Sequence, residues 1–258
     1  MRELRSLFIS PVAYIVLTLW SVIAGTFFLA SLIGFQERLI QLKQFQMLQQ
    51  IEQMNLNDNL IEPFIGSMWV ILLFLLPAVT MGLVSTEKAN GTDELLLTSP
   101  ISIWEIVLGK FLAGAGFVTV MSLIIAFFPA ILFAYGEPEV GKTLSGLLSL
   151  LLVSMTYVAV GVFASSLTRN QLIAFILTFV LLLILGMMLP FIVEISMAGS
   201  GMGRDSAISQ VVNWMSTGSH VERMLKGLID TADLAYFVLA SAVFLVLSKT
   251  VIESARWR

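Results

Sequence analysis

Residues Gly136 to Thr143 read GEPEVGKT and satisfy G-x-x-x-x-G-K-[ST], the spacing with which backbone N–H groups and a lysine cradle nucleotide phosphates. That chemistry needs a β-strand before the loop, a helix after it, and a soluble α/β domain around both. The flanks here are long apolar runs with no strand–helix alternation. Glu137 and Glu139 add negative charge where phosphate requires positive potential. The motif therefore reads as a tight polar turn between two apolar helices. His220, the single histidine, lies in a polar stretch and reads as a solvated side chain. Met187, Met188, Met197, Met202, Met215 and Met224 carry thioethers suited to soft copper, but their spacing repeats no ligand motif, and packing explains them more simply. No nucleophile, base and orienting group fall into a catalytic pattern, and no metal or cofactor is expected on the chain itself.

The elements that must position these residues follow from composition. The chain has 258 residues, of which 58% are hydrophobic and 12% charged, with a net charge of −3, no cysteine and a mean hydropathy of +0.94. A soluble domain carries about 25% charged residues, so the expected solvent is lipid, and nucleic acid is not an expected partner. About 20 apolar residues cross a bilayer as a helix. Six segments qualify: 12–33, 64–84, 107–135, 145–167, 171–193 and 234–252. The first is too long for a signal-peptide core and reads as a retained helix. Pro77 and Pro129 lie inside the second and third, where kinks are expected. The fold class is thus all-α: a single polytopic membrane domain over 1–258.

Between the spans, residues 1–11 mix charge with Leu4, Leu7, Phe8 and Ile9, the pattern of a short interfacial helix. Residues 36–60 suit an amphipathic extension of the first helix and its return. Residues 194–233 form the largest connection, with an amphipathic stretch near Val211 to Ile229, and Glu194 marks the interface. Six spans put both termini on one side. That side would hold Arg2, Arg5, Lys88, Lys110, Arg169, Lys249, Arg256 and Arg258 over little loop, which favours the cytoplasm.

Ser85 to Gly114 is the most informative window. Gly91 breaks the preceding segment, Thr92 or Asp93 suits a helix N-cap, and Leu95 to Leu97 supply two apolar turns ended by Pro100. Ser102 to Glu105 has the spacing of a capping box opening the third span. On spacing alone this is equally an ordered loop.

The run EKANGTDELLLTSPISIWEIVLGKFL resembles the permease subunits of ABC-type exporters of the ABC-2 type, in particular their GldF and NosY branch. ELRSLFISPVAYIV at the N-terminus is similar to the family's elbow segment. GVFASSLTRNQLIAFI (161–176) and GSHVERMLKGLIDTADLAYF (218–237) are similar to its later connections, the last favouring a GldF-like chain. The resemblance implies a cytoplasmic coupling helix over 87–100 that meets a separate ATPase subunit through Glu87, Lys88, Gly91, Thr92, Asp93, Glu94, Leu95, Leu96, Leu97, Pro100 and Glu105. An elbow carrying Arg2, Arg5, Leu7 and Phe8 would lie on the same face. It also implies two ATPase copies that bind the ATP and Mg, a second permease copy or a related permease, and a bacterial inner-membrane location with both termini cytoplasmic. The alternative is a non-transporting component serving a periplasmic or cell-surface machine, of the gliding-motility or metalloenzyme-maturation kind, with an accessory protein outside.

Overall fold

A computed structural model describes residues 11–47, 49, 54–92, 101–189, 191–192, 211–212 and 214–255. The described residues form helices joined by short turns, without a strand. Helix α1 runs Pro11–Gln44, and a π-helical turn, π1, covers Asn57–Ile61. Helices α2 (Glu62–Thr80), α3 (Gly82–Ala89), α4 (Ile103–Tyr135), α5 (Val140–Leu167) and α6 (Gln171–Leu183) follow. A second π-helical turn, π2, covers Ile184–Met188, and α7 (Thr217–Leu225) and α8 (Thr231–Ala255) complete the order. Six helical stretches are long and apolar enough to span a bilayer, as expected: α1; π1 to α3; α4; α5; α6 with π2; and α8.

The first span continues as helix to Gln44, the extension expected within residues 36–60, and the chain leaves it through Gln46 in the left-handed region at φ 53°. Other boundaries differ from the sequence reading. The polar segment expected from residue 85 is helical to Ala89. It ends where Gly91 takes φ 69° and the Thr92 N–H closes on the Glu87 carbonyl at 3.0 Å, a left-handed helix stop. The fourth span begins at Val140 rather than 145. The capping box forms as expected, with Glu105 N–H donating to Ser102 Oγ and Ser102 N–H to Glu105 Oε2 at 2.9 Å. Both Pro77 and Pro129 sit within continuous helix.

Helix α5 is the centre of the bundle. It packs against α2, α3, α4, α6, α7 and α8, and Val153, Tyr157 to Val160, Val162 and Ala164 are buried in it. Small residues allow this closeness. At Gly161 an added Cβ would lie 2.1 Å from Thr80 Oγ1, and at Gly114 2.6 Å from Val158 Cγ1. Helix α1 joins through a narrow seam of Ala13, Trp20, Ala24 and Phe28. There the Trp20 indole donates to the Met121 carbonyl at 3.0 Å, and Phe28, Phe64 and Phe128 meet edge to face or tilted. Buried hydroxyls of Thr80, Ser154, Thr178 and Ser248 return to the carbonyl four residues back. This internal pairing is what lipid demands of polar groups.

The end of the bundle opposite α3 is closed by polar clamps. Asn57 is buried; its amide donates to the Glu139 carbonyl at 3.1 Å and to Thr143 Oγ1 at 3.0 Å, and accepts from the Glu139 N–H at 2.7 Å. The GEPEVGKT segment is thus the turn between α4 and α5 followed by the first turn of α5. Its Lys142 pairs with Asp58 at 3.3 Å and Glu139 at 3.5 Å.

His220 departs from the solvated reading: it is fully buried on α7. Its Nδ1 lies 2.5 Å from Asp233 Oδ1, and its Nε2 lies 2.9 Å from the Trp214 carbonyl oxygen. The ring stacks on Tyr236 at 4.0 Å, and Arg223 also bonds Asp233. This set ties α7 to the start of α8, a contact between residues that sequence spacing alone does not bring together. Of the six methionines singled out in the sequence, Met224 is core, whereas Met187, Met188 and Met215 are exposed. Met197, Met202 and Glu194 lie outside the described residues.

Candidate functional site

Of the residues expected at the interface, Glu87, Lys88, Gly91, Thr92 and Glu105 are described, and they lie at the end of the bundle that carries α3, the 167–171 turn and the start of α4. Helix α3 continues α2 through Met81, whose backbone stays helical at φ −53° and ψ −35°, but a side chain from α5 interrupts the hydrogen-bond ladder there. Ser165 Oγ accepts from the Val84 and Ser85 N–H groups at 3.0 and 2.9 Å and donates to the Met81 carbonyl at 2.8 Å. A side chain inserted into the helical ladder is a recognised cause of helix bending. Ser85 Oγ also bonds the Met81 carbonyl, at 2.5 Å.

Beyond Met81, α3 is fastened to each of its neighbours. Glu87 Oε1 accepts from Lys110 Nζ on α4 at 2.7 Å; the lysine is buried and the glutamate partly exposed. Lys88 Nζ donates to the Ser166 carbonyl on α5 at 2.5 Å. Gln171 at the start of α6 donates to Thr86 Oγ1 at 2.8 Å. Asn170 caps α6 by accepting from the Leu172 N–H at 2.9 Å. Asn90, Gly91 and Thr92 project from the end of α3 and are exposed. Glu105 is exposed and engaged in the capping box, and nearby Trp104 is half-exposed under Lys249 Nζ at 5.9 Å.

Of the expected interface, the structure brings together Glu87, Lys88, Gly91 and Thr92 on α3 and its stop, with Glu105 on the cap of α4. Asp93, Glu94, Leu95, Leu96, Leu97 and Pro100, and the elbow residues Arg2, Arg5, Leu7 and Phe8, lie outside the described residues. The charges of Glu87 and Lys88 are directed into the bundle. Lys110 and Ser165 were missed as site residues. An ionisable group inside an apolar span is itself a signal and marks Lys110; a serine in a helix of many serines carries none.

No group of three or more His, Cys, Asp or Glu able to hold a metal occurs among the described residues. The segment that matched a phosphate loop has committed its backbone and lysine elsewhere. Glu139 N–H is taken by Asn57, Gly136 N–H donates to the Leu132 carbonyl at 2.8 Å, and Lys142 faces carboxylates.

Six apolar spans, one of them a buried central helix, with a short helix fastened at one end, define a multi-pass α-helical membrane protein. Residues 2–253 match the family described as ABC-2 family transporter protein, and the chain belongs to that family. It is accordingly a permease subunit of an ABC transporter, a class that works with a separate ABC ATPase. A search of curated proteins finds no match.

Proposed function

We propose that this chain couples ATP hydrolysis by a separate ATPase subunit to export of a substrate across a bacterial inner membrane. The observation that carries the reading is α3: a short helix set off from its span and bonded to α4, α5 and α6, with its exposed end leading into residues 93–100. A load applied to that segment is delivered to three spans together. Rigid-body motion of packed helices is the established way such loads become conformational change. In this reading the α3 end faces the cytoplasm and both termini lie there. Glu94, Asp93 and Leu95 to Leu97 meet the ATPase beside the exposed Gly91 and Thr92, and the elbow around Arg2, Arg5, Leu7 and Phe8 lies alongside. Two ATPase copies hold the ATP and Mg, a second permease chain completes the path, and the permease supplies no catalytic group. Within the family we read the chain as GldF-like, on the likeness of residues 218–237 to that branch.

Substitution of Glu94 and Leu96 by alanine tests the coupling segment. The expected result is a loss of roughly tenfold or more in complex assembly or permease-dependent hydrolysis, the scale of removing an interface hot spot. Wild-type levels of both would remove 93–100 from the coupling role.

A further inference from the structure

We propose that Lys110 is a positioning residue for coupling: through its ion pair with Glu87 it makes α3 and α4 move as one body. The inference rests on the reading of α3 as the element that receives force from the ATPase.

Lys110 lies two turns into α4, about 10 Å from its start at the rise of an α-helix. A lysine there could leave its ammonium in the interface, because the side chain is long enough to snorkel. It does not: the side chain is 4% exposed, and its ammonium meets Glu87 Oε1 at 2.7 Å, on a helix from a different span. The pair also differs in kind from the surface pair Lys249–Glu253, which joins residues on the same helix at 2.9 Å with both side chains partly exposed.

The geometry of α3 explains what the pair does. At its near end Ser165 holds Val84 and Ser85 beside Met81. With the ladder interrupted there, a load on the far end of α3 bends the helix at Met81 unless that end is also held. Glu87 lies in the last turn of α3, and Lys110 fixes it to α4. Lys88 to the Ser166 carbonyl and Gln171 to Thr86 do the same towards α5 and α6. Of these three far-end links only the Glu87 pair reaches α4. Helix α4 is also the span whose start, through the capping box, follows the coupling segment directly. The segment therefore enters a closed frame, attached to α3 at one side and α4 at the other, with Lys110–Glu87 as the crossbar.

The test uses the assembled permease–ATPase complex. The chain has no cysteine, so spin labels go cleanly at the exposed positions Ile40 on α1 and Glu137 in the α4–α5 turn. Distances are read without nucleotide and with ATP and vanadate. The wild-type complex should show a nucleotide-dependent shift in this distance, far from α3. Lys110→Met should keep assembly and hydrolysis but lose at least about half of the shift, and Lys110→Arg should restore it. Lys110→Gln, which keeps a polar end but removes the charge and shortens the reach to Glu87, should act as Lys110→Met does, and it decides the matter if the latter does not assemble. A wild-type shift in either assembled, hydrolysing variant would overturn the proposal. Failure of the wild-type chain to assemble with an ATPase, or to shift with nucleotide, would instead count against the coupling reading beneath it.

Discussion

An ammonium 3.3 Å from one carboxylate and 3.5 Å from another is already neutralised, and Lys142 is in that position. Lys142→Ala should leave ATP hydrolysis by the assembled complex within about twofold of wild type, because partly exposed pairs contribute little. A collapse of hydrolysis at normal expression, measured on purified complex, would restore the nucleotide-binding reading of GEPEVGKT. At this scale the sequence was legible where partners are local. The capping box of Ser102 and Glu105 needs only three residues of spacing, and it forms. His220 was not legible, because its burial depends on α7 folding back onto Asp233 and Tyr236 of α8. Lys142 was misleading in letters alone, because Asp58, which pairs with it, lies in a different span.

Between elements, α2 and α5 approach closely where Gly161 faces Thr80. Gly161 and Ser165 stand one turn apart on the same face of α5, the first letting α2 approach and the second entering its backbone. Gly161→Ala places a methyl 2.1 Å from Thr80 Oγ1 and 2.4 Å from Thr80 Cβ, so the helices must separate. The expected cost is about 1–3 kcal/mol, the range for overpacked cores, visible as a lower midpoint in thermal unfolding of the detergent-solubilised chain. Adding Thr80→Ala should recover only part of it, because the Cβ contact stays. An unchanged midpoint would mean that α2 has room to move. Pro77 drew attention to this region in the sequence, but the ladder is interrupted at Met81, where Ser165 intervenes. A hydrogen bond from another span decided the position, and no local rule points to Ser165.

For the molecule as a whole, sidedness decides whether α3 can meet an ATPase. Single cysteines at Asn90 and Glu137, both exposed and at opposite ends of the bundle, give a direct measurement in intact cells. A membrane-impermeant maleimide should label the cysteine at 137 and spare the one at 90; the reverse pattern would place α3 outside and remove the coupling reading. The six spans were legible because lipid imposes length and apolarity on each one separately. Their packing was not, since hydropathy is the same on a face that meets lipid and a face that meets protein.

That difference in faces has a consequence for divergence. In the most apolar stretch of α5, 67% of residues are buried against other helices; in that of α1 the figure is 17%. Any apolar side chain satisfies a lipid-facing site, so drift along α1 is limited chiefly to keeping Ala13, Trp20, Ala24 and Phe28. Along α5 nearly every position has a partner with a fixed shape. Distant relatives should therefore keep residue identities along α5 long after α1 retains only its composition, and α5 is the helix on which to register them.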